Sequence, residues 1–208
     1  ALAAILYGSA MAIREPLVKR LFAWSSIAQI GYIILGVSLL TEASISAALL
    51  HMFNHALAKG ALFIGIIALA AHTHSLSLQG IAGLGRNHPV IGTAILLAGL
   101  SLVGIPGTAG FISKWLLIEA IIEQQRFVIP LLAVVLISSL MAVVYIAKVA
   151  EALFFAEAPT TPANNRVSAA ALVLLIVVFA NVVFGLAPQF PIGLAEQAAQ
   201  LLLLGSAI

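Results

Sequence analysis

Long apolar runs separated by short polar turns constrain this chain more than any other feature. The runs from about Leu21 to Leu40, Ile45 to Ala71, Phe127 to Phe155 and Val167 to Leu186 reach the roughly 20 residues that cross a bilayer core. Hydrophobic residues make up 63% of the sequence and charged residues 8%, against about 25% charged in soluble domains. So few charges cannot cover the surface of a water-soluble fold. In lipid every backbone N–H and C=O must be paired internally, which leaves helices or a closed barrel. The runs are continuous rather than alternating, which selects helices. The predicted fold is all-α: a polytopic transmembrane helix bundle of about six membrane helices, one of them broken.

The first segment, Ala1 to Ile13, is shorter than a span and reads as the end of a helix that starts upstream. The chain opens inside an apolar run without Met and is expected to be part of a longer protein. The stretch from Pro89 to about Glu123 is too long for one straight span, and Gly104-Ile-Pro-Gly-Thr-Ala-Gly110 interrupts it. Pro106 removes a helical hydrogen bond, and Gly104, Gly107 and Gly110 add backbone freedom. A broken membrane helix is expected here, and unwound backbone at that depth is tolerated only when buried in protein or lining a wet cavity. Residues Ala156 to Arg166 read as a loop. Pro188 and Pro191 end the last span, and Ile192 to Leu204 form a short amphipathic helix with Glu196, Gln197 and Gln200 on its polar side. The expected organisation is a transmembrane bundle over 1–188 and an interfacial helix within 189–208.

Loop charges give an orientation. Arg14, Lys19, Arg20, Arg86 and Arg166 fall on one side, with Lys148 near a helix end, and only Arg126 falls on the other. The first side is then cytoplasmic, and the C-terminal helix lies outside a multi-pass cell inner (plasma) membrane. The net charge of +2 comes from 9 Lys/Arg against 7 Asp/Glu, with no basic cluster or aromatic ladder for nucleic acid. The sequence has no cysteine, which excludes disulfides, thiolate nucleophiles and cysteine-ligated metals here. No cofactor or metal is expected. The i, i+4 histidines described next lack an evident third ligand.

Ionisable residues inside apolar helices are the strongest functional signal, because one charge at mid-bilayer costs about 2.5–3.5 kcal/mol on insertion scales. His51, His55 and Lys59 recur at i, i+4 and i+8, on one helix face, with Asn54 beside them. Histidine exchanges its proton near neutrality, and removing an ammonium from water eases release of its proton. The stripe is expected to face the bundle interior and hand protons along, with waters filling steps of about 5–6 Å. Lys114 follows the break, just after Ser113, roughly 13 Å along the helix from Glu123. The positive end of its half-helix is expected to act on it. Ser25, Gln29 and Tyr32 share one stripe of the second span and fit helix packing or water binding. Ser138, Ser139, Tyr145 and Lys148 are polar positions on the fifth. Lys148 and Glu151 are expected to pair, and His72 and His74 to be solvated.

Three motifs together resemble the antiporter-like subunits shared by respiratory complex I and the Mrp cation/proton antiporters. They are Trp24-Ser-Ser-Ile-Ala-Gln-Ile-Gly-Tyr32, then His51-x3-His55-x3-Lys59-Gly-Ala-Leu-Phe63, then Gly104-Ile-Pro-Gly-Thr-Ala-Gly-Phe-Ile-Ser-Lys114. The tail Phe190-Pro-Ile-Gly-Leu-Ala-Glu-Gln-Ala-Ala looks most like the Mrp branch of that family. The resemblance implies inverted helix repeats, each with a broken helix, of which this chain would hold the last six helices. It implies that Lys114 exchanges protons with the outer side and that His51, His55 and Lys59 belong to a central hydrophilic axis. The glutamate and further lysines of the other half lie outside the chain.

The leading expectation is a proton-translocating subunit of a multi-subunit Na+/K+:proton antiporter, partnered by other membrane subunits and the lipid bilayer. It would be a transporter subunit rather than an enzyme. The alternative is the equivalent subunit of NADH–quinone oxidoreductase or a membrane hydrogenase, part of a redox enzyme without a redox site of its own. A third reading is a structural membrane subunit whose buried polar groups only set helix packing.

Overall fold

The computed structural model describes residues 1–157 and 169–205. Those residues form α1 (Leu2–Arg14), α2 (Val18–Ser38), α3 (Glu42–Ala70), α4 (Leu84–Asn87), α5 (Pro89–Val103), α6 (Ala109–Glu123), α7 (Val128–Ala150), α8 (Ala169–Leu186) and α9 (Gln189–Gly205). A π-helical turn, Glu151–Phe155, continues α7. The expected all-α bundle is present. By length and composition α2, α3, α8 and α7 with its extension can each cross a membrane, and α1 and α5 are shorter apolar helices. Most of the expected loop over 156–166, Arg166 included, and the start of the last span at Val167 lie outside the described residues.

Local chemistry sets the helix ends. Pro16 follows α1, where the residue before a proline is pushed out of helical geometry. Thr41 and Ser44 form a reciprocal capping box at the start of α3, each backbone N–H donating to the other's hydroxyl at 3.1 Å. Glu42 in the same turn complements the positive helix end. Pro89 opens α5 at a position whose N–H needs no partner. Gly104 closes α5 with φ +89°, and its N–H and that of Ile105 both return to the Leu100 carbonyl at 3.0 and 3.2 Å.

Helix α3 touches α2, α5, α6, α8 and α9 and therefore runs through the middle of the assembly. Apolar residues pack in two clusters. One includes Phe22, Leu62, Ile66, Leu102, Val103, Tyr145 and Leu174. The other includes Ile5, Tyr32, Leu35, Ala47, Leu117 and Ile121. On α2, Ser25 and Gln29 fall between Phe22 of the first and Tyr32 of the second, so the buried polar side chains lie where the clusters meet. Ile30 and Ile34 on α2, Leu136 and Leu140 on α7, and Ile176 and Phe179 on α8 are exposed, the outward apolar surface that lipid favours.

Several expectations need correction. The stretch His72 to His88 is strapped to the α1–α2 turn: Val18 N–H donates to the Leu76 carbonyl and Leu78 N–H to the Pro16 carbonyl, both at 2.9 Å. Within it His72 is not simply solvated, since its ring stacks 3.9 Å from that of His88. Helix α9 starts at Gln189, before Pro191, because a proline in the first turn costs no hydrogen bond. It packs along α3, with Gln200 donating to the Glu42 carboxylate at 2.8 Å. Lys148 donates to the Ile13 carbonyl at 2.6 Å rather than pairing with Glu151. It satisfies a carbonyl that the end of α1 leaves without a helical donor.

Candidate functional site

The break between α5 and α6 builds the seat of Lys114. A helix end leaves its last carbonyls without intrahelical donors. At the end of α5, Gly104 and Ile105 serve Leu100 and Ser101. Lys114 Nζ serves the next two, donating to Leu102 at 2.8 Å and Val103 at 3.0 Å, and reaches Ser139 Oγ on α7 at 3.3 Å. The Tyr32 ring lies beneath it, 5.0 Å from centroid to Nζ, a cation–π distance. The lysine therefore looks back to the negative end of α5. The expected influence of the positive end of α6 is corrected accordingly, because the long side chain carries its charge away from the backbone it grows from.

Small residues make the break possible. Gly110 lies so close to α5 that a Cβ there would sit 1.9 Å from the Ser101 carbonyl oxygen. Gly110 N–H donates to Ser101 Oγ at 3.1 Å. A Cβ on Gly104 would press on Lys114 Cδ at 3.0 Å. Gly107 takes φ +88°, and Pro106 lies between these two glycines, in the expected Gly104–Gly110 interruption. Gly185 of α8 backs the loop, with Thr108 Cα 2.5 Å from where its Cβ would be.

His51 joins α3 to α2 and α6. Its Nδ1 lies 2.9 Å from Ser113 Oγ on α6 and its Nε2 3.0 Å from Gln29 Oε1 on α2. An amide oxygen only accepts, so Nε2 carries the proton in the neutral ring and Nδ1 takes the Ser113 hydroxyl. Gln29 Nε2 points at the Leu102 carbonyl, 3.5 Å away, the same oxygen that Lys114 holds. Asn54 Nδ2 ties α3 to the start of α6 through the Ala109 carbonyl at 2.7 Å. Tyr32 donates toward the Val135 carbonyl at 3.1 Å and meets Ser138 Oγ closely.

Lys59 is bound separately, two turns further along α3. Its Nζ donates to the Phe22 carbonyl at 2.6 Å and to Ser25 Oγ. His51, Lys59 and Lys114 are 3%, 6% and 5% exposed. His55 differs: it is half-buried, its ring lies 6.4 Å from that of His51, and its Nδ1 has no hydrogen-bond partner among the described residues. The structure thus gathers His51, Lys114, Ser113, Gln29 and Tyr32 into one network. Lys59 and Ser25 form a second group, and His55 is joined to neither by a hydrogen bond. Sequence reasoning missed Ser101 and the Leu102 and Val103 carbonyls, because nothing in a leucine or valine side chain announces a free carbonyl. It gave Ser139 and Tyr145 no place in the site.

A family described as NADH:quinone oxidoreductase/Mrp antiporter, transmembrane, matches residues 1–142. NADH-quinone oxidoreductase subunit N of Rickettsia bellii is 34% identical over 186 residues, covering 89% of this chain and 40% of the relative. The protein of the same name from Desulforudis audaxviator is 36% identical over 175 residues, 80% of this chain and 34% of the relative. The chain thus spans well under half the length of these relatives. Among solved structures, the Mrp complex of Dietzia sp. DQ12-45-1b contains a chain that superposes with TM-score 0.87 at 24% identity, over 95% of this chain and 45% of that one. The membrane-bound sulfane sulfur reductase, an archaeal respiratory membrane complex, gives TM-score 0.87 at 28% identity over 96% and 40%. Respiratory complex I of Thermus thermophilus with bound aureothin gives 0.73 at 27% over 92% and 43%. These sequence relatives carry the name subunit N of NADH-quinone oxidoreductase, so they favour that branch over the Mrp branch suggested by the tail. With its broken helix, its buried lysines and a match over most of its length, the chain belongs to the NADH:quinone oxidoreductase/Mrp antiporter family of transmembrane subunits.

Proposed function

We propose that this chain is part of the proton-translocating membrane subunit of a redox-driven complex of the NADH–quinone oxidoreductase type, equivalent to subunit N. One observation carries the reading. Lys59, His51 and Lys114 are each buried and held by hydroxyls, an amide or backbone carbonyls, inside a bundle whose outer surface is apolar. Buried ionisable groups are expensive in a membrane and mark ion or proton paths. Protons pass between these side chains through hydrogen bonds and bridging waters, without covalent chemistry. The names of the sequence relatives supply the redox setting. Other membrane subunits of the same complex are the partners, and the plasma membrane is the location. The Arg- and Lys-rich loops face the cytoplasm, and α9 lies at the outer surface.

A second reading, a subunit of a monovalent cation:proton antiporter, draws on the tail from Phe190 to Ala199, which resembles the Mrp branch of the family. Proton uptake by everted vesicles containing the whole complex separates the two. Uptake driven by NADH and indifferent to Na+ or K+ gradients is expected. Uptake driven by a cation gradient without NADH selects antiport. Full uptake in Lys114→Ala, with normal assembly, removes both and leaves a structural subunit. A cysteine introduced at Gln197 should react with an impermeant maleimide from outside the cell; reaction only from the cytoplasmic side reverses the orientation.

A further inference from the structure

The sequence pattern draws the path along one face of α3, from Lys59 through His55 to His51. Hydrogen-bonded transfer needs heavy atoms about 2.6–3.2 Å apart. The His51 and His55 rings are 6.4 Å apart, and His55 Nδ1 has no partner among the described residues. Tyr145 on α7 offers another connection. It is 0% exposed, and its ring belongs to the apolar cluster that contains Phe22. Its hydroxyl approaches the Gln29 amide and the Ser25 hydroxyl without meeting either in full hydrogen-bond geometry among the described residues.

Those two neighbours are the ends of the two polar groups already described. Ser25 Oγ accepts a hydrogen bond from Lys59 and donates its own to the Phe22 carbonyl at 3.0 Å. Gln29 holds His51. Each keeps unused capacity: Ser25 Oγ a lone pair, and Gln29 Oε1 a lone pair and Nε2 a second N–H. A phenol has one donor and acceptor lone pairs, so it can accept from one side while donating to the other. A buried hydroxyl costs free energy unless it is hydrogen-bonded, and this one is placed where either bond forms with a small shift.

We propose that the Tyr145 hydroxyl is the relay between the Lys59–Ser25 pair and the Gln29–His51 pair, and that this link, not His55, closes the gap along the path. The inference rests on the proton-translocating reading above. In the step, the Ser25 hydroxyl turns from the Phe22 carbonyl to the phenol oxygen. Lys59 gives a proton to Ser25, Ser25 gives its own to Tyr145, and Tyr145 releases its own to a water held by the Gln29 amide beside His51, so that Lys59 ends neutral and the water carries the added proton. Tyr145 is thereby left as it began. Gln29 orients the water and the imidazole and carries no proton.

The test measures proton translocation per assembled complex in everted vesicles for Tyr145→Phe, Tyr145→Ser and Lys114→Ala, with the exposed Tyr7→Phe as control. Phe keeps the ring and its packing and removes only the hydroxyl. Ser keeps a hydroxyl and opens room for a water. A relay predicts that Tyr145→Phe falls on the order of tenfold, the scale of one hydrogen bond lost from a rate-limiting path, and that Tyr145→Ser keeps more activity than Tyr145→Phe. A packing role predicts the reverse order. Wild-type translocation in Tyr145→Phe with an inactive Lys114→Ala overturns the relay and leaves the proposed function in place. Wild-type translocation in both overturns the function as well.

Discussion

Gln29 and Lys114 meet on a single oxygen, the carbonyl of Leu102, one at 3.5 Å and the other at 2.8 Å. Through Gln29 that oxygen also connects to His51. The end of α5 is therefore more than a stop in a helix: its buried carbonyls, left without helical donors, are the fixed points around which the side chains are arranged.

Lys114 can be tested for charge and for proton exchange separately. Lys114→Met leaves the Leu102 and Val103 carbonyls without their donor and should destabilise the protein by about 1–3 kcal/mol. Lys114→Arg keeps donors and charge but holds its proton permanently. Both should abolish NADH-driven uptake, while thermal unfolding in detergent should show Arg as the more stable of the two.

Loss of Gln29 should reach two sites at once. Gln29→Leu removes the acceptor of His51 Nε2 and the second donor on Leu102. A buried donor without a partner costs about 1–3 kcal/mol, and proton uptake should fall in parallel. Unchanged uptake with unchanged melting would show that the network is dispensable.

His51 and His55 are equivalent in the sequence pattern and unequal in the structure. His51→Ala breaks bonds to both Ser113 and Gln29, whereas His55→Ala removes a ring contact. The loss of stability and of uptake should be larger for His51 in both measurements.

Glycine substitutions should divide by position. Gly110→Ala puts a methyl group 1.9 Å from the Ser101 carbonyl oxygen and should cost at least the roughly 1–3 kcal/mol typical of overpacking, seen as loss of assembled complex. Gly60, in the middle of α3, has nothing within 4 Å of an added Cβ. Gly60→Ala should assemble normally and stabilise the helix by up to about 1 kcal/mol.

Helical class, approximate spans and the site of the break were legible in the sequence because each depends on local chemistry. Apolar length sets a span, Pro106 and its flanking glycines set the break, and proline and capping residues set the ends. His51, Lys59 and Lys114 were legible because ionisable groups stand out in apolar runs. Their partners were not. His55 shares the periodicity of His51 and Lys59 yet its Nδ1 is left without a polar contact among the described residues. Tyr145 and Ser139, distant in sequence, face the site. Lys148 seeks a helix-end carbonyl and not the nearby Glu151.

The sequence by itself therefore determined that this is a membrane bundle with ionisable groups inside it and one interrupted helix. Only the tertiary structure decided which of those groups are joined. Backbone carbonyls freed at Leu102 and Val103 have no side-chain signature, and the contacts they make cross from α5 to α6 and α2. Such contacts depend on how helices pack, which local periodicity does not encode.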